Sequence, residues 1–121
     1  MKNSFILSIL VLSLVAFSAC DLEPEKPKSD KCEIITFTES GKIWSINNNA
    51  GTISAAYLKS EKDRLANAAP QITVSPGATV NPKSGDVVNL SDGSEVEYTV
   101  TAEDGKTQKV YKAKATETSV N

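Results

Sequence analysis

The sequence predicts an all-β sandwich, and three observations carry that prediction. Apolar and polar residues alternate with a period of two through several segments after residue 32. Those segments are bounded by turns rich in Asn, Gly, Pro and Asp, spaced about ten residues apart. Only one stretch, residues 59–69, carries a helical pattern. Six or seven short antiparallel strands in fewer than 100 residues point to two stacked sheets.

The chain has 121 residues and opens on Lys2 and an apolar run, Phe5 to Phe17 (FILSILVLSLVAF), of 13 residues broken only by two serines. A bilayer-spanning helix needs about 20 apolar residues. The run is too short to span and reads as the core of a signal peptide, residues 1–19, with the small pair Ser18-Ala19 placed before Cys20. Its removal takes away one lysine and leaves 102 residues of net charge −3, enough for one small domain. Residues 20–31 follow as a tether: Asp21 to Lys31 (DLEPEKPKSDK) holds two prolines, seven charges and one apolar residue, so it cannot bury itself. Fully stretched at about 3.3 Å per residue, it would reach roughly 35 Å.

The sandwich is expected over residues 32–118. Glu33 to Thr38 (EIITFT) sets Ile35 and Phe37 on one face, and Lys42 to Asn47 (KIWSIN) carries Ile43, Trp44 and Ile46 into the turn Asn47 to Gly51. Thr52 to Leu58 alternates Ile53, Ala55 and Tyr57. Lys59 to Ala69 is the helical stretch, with Ser60 and Asp63 spaced as a capping box and Pro70 as its stop. Gln71 to Ser75 turns Ile72 and Val74 inward, and Val87 to Leu90 is a weak strand or irregular edge. The clearest hairpin comes last. Val96, Tyr98 and Val100 alternate along Glu95 to Thr101, Asp104-Gly105 supplies the turn, and Tyr111, Ala113 and Ala115 line one side of the return, Thr107 to Thr116. Lys112 and Lys114 then face Glu97 across the pair.

Composition excludes several function classes. With 13 Lys+Arg against 15 Asp+Glu and no basic cluster, the chain lacks the positive face that nucleic acid requires. It contains no histidine, which removes Ser-His-Asp and Cys-His catalysis and the usual zinc ligands. Gly105-Lys106-Thr107 lacks the upstream glycine of a phosphate-binding loop, since Val100 stands there. No D-x-D-x-D-G ligand loop surrounds Asp86, Asp92 or Asp104, and the strand between Asp92 and Asp104 holds them roughly 23 Å apart. Glu95 and Glu97 are spaced about 6.6 Å along one strand face, a separation that glycosidase acids also show. A solvated face beside Lys112 and Lys114 cannot raise the pKa of either, so they read as surface charges. No metal or cofactor is expected, no residue is assigned as catalytic, and the chain is not expected to be an enzyme.

Two resemblances add to this reading. Phe17-Ser18-Ala19-Cys20 resembles the lipobox of bacterial lipoproteins, with Phe17 at a position more often aliphatic. That resemblance implies lipidation of Cys20, two or three acyl chains, and a membrane partner reached through the anchor without a spanning helix. Asp21, Glu23 and Glu25 are similar to the export signal of Bacteroidetes-type lipoproteins, which implies the outer membrane, on its periplasmic or cell-surface face. The segment PQITVSPGATVNPKSG (70–85) and the later VEYTVTAEDG (96–105) resemble a small immunoglobulin-like domain of unknown function found in Bacteroidetes lipoproteins, and Ile35 and Phe37 fit its first strand. Members of that family often open larger cell-surface lipoproteins of glycan-uptake systems. The expected fold is therefore an immunoglobulin-like β-sandwich, and no further domain is expected after it.

Three residues remain as candidates. Cys32, at the head of the first strand, is expected to be a small buried residue and not a reactive thiol, because Glu33 offsets the charge of Lys31. Sugar-binding modules use exposed aromatic platforms. Past the tether the chain holds Phe37, Trp44, Tyr57, Tyr98 and Tyr111. Trp44 is read as core, but if it is exposed it becomes, with Tyr57, the leading ligand contact. The expected role is a lipid-anchored binding or spacer module, with a glycan or a surface protein as partner; the alternative is a structural subunit that docks by a sheet edge. An exposed aromatic patch favours glycan binding, a bare regular edge favours docking, and a deep polar pocket favours an enzyme.

Overall fold

The computed structural model describes residues 26–119. The signal peptide, Cys20 and the acidic start of the tether lie outside the described residues. Eight strands form: β1 (Ile34–Glu39), β2 (Lys42–Ile43), β3 (Ser45–Asn47), β4 (Thr52–Leu58), β5 (Gln71–Val74), β6 (Thr79–Asn81), β7 (Glu95–Thr101) and β8 (Gln108–Thr118). They make a three-stranded sheet in the order β2-β1-β5 and a five-stranded sheet in the order β3-β4-β8-β7-β6. The fold is an all-β sandwich. Its core lies between the sheets and is filled by Ile34, Phe37, Trp44, Ile53, Tyr98 and Tyr111 with their smaller neighbours.

Four details depart from the expected pattern, each for a physical reason. Every pairing is antiparallel except β4 with β8, which run parallel from Thr52 opposite Lys112 to Leu58 opposite Thr118. Alternation has the same period in both kinds of ladder, so the sequence could not distinguish them. Ile34, not Ile35, shares the buried face with Phe37: the register shifts between Ile34 and Thr36, and this bulge turns Ile35 outward. The run Lys42 to Asn47 splits at Trp44. Ile43 pairs with β1, whereas Ser45 pairs with β4, so the chain changes sheets there while Trp44 N–H donates to Phe37 O at 2.9 Å. The helix is also shorter than expected. A 3₁₀ turn (Lys59–Glu61) leads into α1 (Lys62–Leu65), and Glu61 Oε2 accepts the Leu58 N–H at 2.8 Å in place of the Ser60–Asp63 cap.

Strand directions give the sandwich two distinct ends. The turns 47–51, 75–78 and 102–107 gather at the end where the chain enters β1. At the opposite end lie the β1–β2 turn, the helix, the 82–94 loops and the end of β8. β8 alone, at about 3.3 Å per residue, gives the body a length of roughly 35 Å. Gly51 shows how tightly the entry end is packed. It sits at φ +66, and a Cβ there would lie 2.8 Å from the Val110 carbonyl oxygen. Val87 to Leu90 makes one isolated bridge, Val88 with Ala68, and Leu90 is fully buried without strand pairing. Among the described residues no helix is long and apolar enough to cross a membrane.

Candidate functional site

Trp44 is 3% exposed and Tyr57 4%. Trp44 is core, as the sequence reads it, and the exposure on which a ligand role for Trp44 and Tyr57 depended is not met. The change of sheets at Trp44 carries its ring into the core, and Tyr57 occupies an inward position of β4. Trp44 packs on Phe37 with ring centroids 5.2 Å apart, and Phe37 meets Tyr98 edge-on at 5.5 Å. Tyr111 is also buried. All five aromatic residues beyond the tether are thus inside, and the described surface offers no stacking platform for a sugar ring. Cys32 is buried at the start of β1, where the chain joins the core.

The two tyrosines that face each other across β7 and β8 have different hydroxyl environments. Tyr111 O–H donates to Asn48 Oδ1 at 2.6 Å and accepts from the Ile34 N–H at 3.2 Å, joining the entry-end turn to β1. Tyr98 Oη has no partner. Burial pushes its pKa up to about 12, with the Asp86 charge a smaller contribution. Tyr98→Phe is therefore expected to be neutral or stabilising by about 1 kcal/mol, because it removes an unpaired buried hydroxyl. Tyr111→Phe is expected to cost about 1–3 kcal/mol, because it strands a buried N–H. The raised pKa of Tyr98 favours folding below the unfolded-state value near 10 and loses that contribution as pH rises toward 12. Urea midpoints from pH 8 to pH 12 check all three points, and the alkaline loss should shrink in Tyr98→Phe.

Several open clefts lie on the described surface. At the far end, Tyr57, Asp92, Gly93 and Lys114 to Glu117 line a depression of about 370 Å³. A second, of about 510 Å³, adjoins it between Leu58 to Ser60 and Glu117 to Ser119. Lys62 and Asp92 pair at 2.6 Å beside the first, which raises the Lys62 pKa chiefly through its hydrogen bond. Asp92 and Glu117 both line the first cleft, and Ser60, Thr118 and Ser119 bring hydroxyls to the second. No group of three metal-ligating side chains occurs among the described residues. On the outer face of the large sheet Lys112 reaches Glu95 at 3.7 Å, diagonal to the Glu97 that stands directly opposite it. The edge strands β2, β3, β5 and β6 have four residues or fewer. Short edges of this kind discourage strand addition.

The family described as "SGBP, N-terminal" matches residues 34–115, from the first residue of β1 well into β8. The chain belongs to this family. The match covers both sheets, so the SGBP N-terminal unit and the sandwich are one object. The chain resembles a candidate glycoside hydrolase of Bacteroides thetaiotaomicron, with 26% identity and a TM-score of 0.64, over 82% of this chain and 28% of that one. It therefore spans under a third of that protein's length. A candidate secreted protein of Bacteroides fragilis shares the fold at 21% identity and a TM-score of 0.53, over 77% of this chain and all of the other. A search of curated proteins found no match.

One contact just upstream of this SGBP N-terminal unit gave no signal in the sequence. Ser29 of the tether is held by the β7–β8 turn through main-chain and side-chain hydrogen bonds. Period-two patterning is blind to contacts of that sort, because they use backbone groups that every residue carries.

Proposed function

We propose that the chain is a lipid-anchored SGBP-type module at the outer membrane of a Bacteroidetes-type cell, accessory to glycan capture, acting as a spacer and not as an enzyme. The observation that carries this reading is the family match over the whole sandwich. The spacer role is supported by the burial of all five aromatic residues beyond the tether and by edge strands of four residues or fewer. It is supported also by the entry and exit of the chain at opposite ends of a body about 35 Å long. We read the sandwich as immunoglobulin-like, on its two packed sheets and the resemblance of residues 70–85 and 96–105. Docking through a sheet edge, the alternative, would need a longer free strand than β2, β3, β5 or β6 provides.

Two measurements on the full chain test this. The native protein is expected in the detergent phase after partitioning, and Cys20→Ser in the aqueous phase, because a removable anchor is the only proposed hold on the membrane. On a glycan array the chain alone is expected to give no signal, while mild crosslinking in cell extracts captures a glycan-binding partner. An aqueous native protein overturns the anchor, and a strong array signal overturns the spacer.

A further inference from the structure

The composition of residues 21–31 predicts a solvated tether, and Lys26, Lys28, Asp30 and Lys31 are exposed as that requires. Ser29 is different. Its N–H donates to Glu103 Oε1 at 3.2 Å, and its carbonyl accepts the Asp104 N–H at 3.1 Å. Its hydroxyl oxygen accepts the Lys31 N–H at 3.2 Å.

Both sides of this contact are built. The Asp104 carboxylate accepts the Thr107 hydroxyl at 2.6 Å and the Thr107 and Lys106 N–H groups at 2.8 Å, which hold its pKa below the usual range and fix the turn. The Glu103 side chain lies across Gly77. A Cβ at Gly77 would sit 2.9 Å from Glu103 Cβ, and the residue's φ of +79 also favours glycine. Beyond Ser29, Cys32 is buried and Glu33 N–H donates to Ser75 Oγ at 2.9 Å.

We infer that Ser29, Glu103 and Asp104 form a clasp that holds the chain to the entry-end turns from residue 29 onward and, together with the start of β1, sets that end of the sandwich toward the anchor. Three fewer free residues shorten the reach by about 10 Å. The turns 47–51, 75–78 and 102–107 then face the lipid, and the far-end clefts face away from it. The clasp stands on the contacts alone; its meaning for orientation at a membrane rests on the anchored reading above.

The test uses the full chain in lipid vesicles. Trypsin cleavage of the Lys28–Ser29 bond is expected to be slower than in a free peptide of residues 21–31. Glu103→Ala should raise that rate about three- to tenfold, the scale of one lost hydrogen bond. Glu103→Gln keeps an acceptor oxygen and should stay within about twofold of the native rate. Exchange of the Asp104 amide in the native protein gives a reading independent of any variant, with slowing of about tenfold or more expected. Cleavage as fast as in the free peptide, equal rates in the two variants, or an unprotected Asp104 amide overturns the clasp. Detergent partitioning of the same samples reports on the anchor separately, so either idea can fail while the other stands.

Discussion

Trp44→Ala is expected to destabilise the sandwich by about 3–5 kcal/mol, the usual cost of deleting a buried tryptophan or phenylalanine. The ring stands where the chain passes from one sheet to the other, against Phe37 of the small sheet, which in turn meets Tyr98 of the large one. These three rings bridge the two layers, and a void among them cannot be filled without moving a sheet. Trp44 Nε1 has no hydrogen-bond partner, so its removal recovers part of the loss and sets the expected value near the lower bound. Small domains have total stabilities of about 5–15 kcal/mol, so the variant should sit close to unfolding at 37 °C. Trp44→Phe, which keeps most of the ring and drops the unpaired N–H, should cost clearly less. Urea titrations followed by far-UV circular dichroism decide the matter. An unchanged midpoint in Trp44→Ala would mean that the ring packs on nothing and serves as a surface platform after all.

That expectation bears on function as well as on folding. Had Trp44 and Tyr57 been a sugar-stacking pair, their loss would weaken a ligand and spare the fold. Their burial reverses the order: the fold fails first, and any change in binding follows from unfolding. Glycan capture by this chain alone would therefore have to rely on the polar outer faces of its sheets or on its open clefts.

The two-sheet architecture was legible because a half-buried strand must alternate, and Glu95 to Thr101 and Thr52 to Leu58 do so cleanly. The hairpin at Asp104-Gly105 was legible because Gly105 adopts a positive φ that few residues tolerate. Elsewhere the signal failed for identifiable reasons. β6 is three residues long between Gly77 and Pro82, and turn residues on both flanks hid it. The bulge after Ile34 moved Ile35 outward, which no count of alternation anticipates. At Trp44 two adjacent apolar residues compete for the inward place; the reading of Trp44 as core agrees with the structure, in which Ile43, 78% exposed, faces solvent. The clasp at Ser29 depends on main-chain groups and on Glu103, 74 residues away in sequence, so it had to be seen in three dimensions.

Arg64→Ala should be the second most damaging change, at about 2–4 kcal/mol. Glu39 ends β1 on an inward position with its side chain 4% exposed. Its Oε1 accepts the Ser40 hydroxyl at 2.8 Å, and its Oε2 is held by Arg64 Nη1. Arg64 also donates from Nη2 to Glu61 Oε1 at 2.9 Å, so one guanidinium ties the end of β1 to the 3₁₀ turn and α1. Removing one partner of a buried pair typically costs about 3–5 kcal/mol, because the remaining charge is left without compensation. Arg64 is 36% exposed in its side chain, and water reaching the gap reduces that figure. The pair itself need not be strongly stabilising, and this gives a sharper test than the single variant. Glu39→Leu combined with Arg64→Leu removes both charges and fills the space with apolar atoms, so it should cost less than Arg64→Ala alone. If the double variant proves the less stable of the two, attraction across the pair outweighs desolvation of Glu39, and the origin assigned to the loss is wrong.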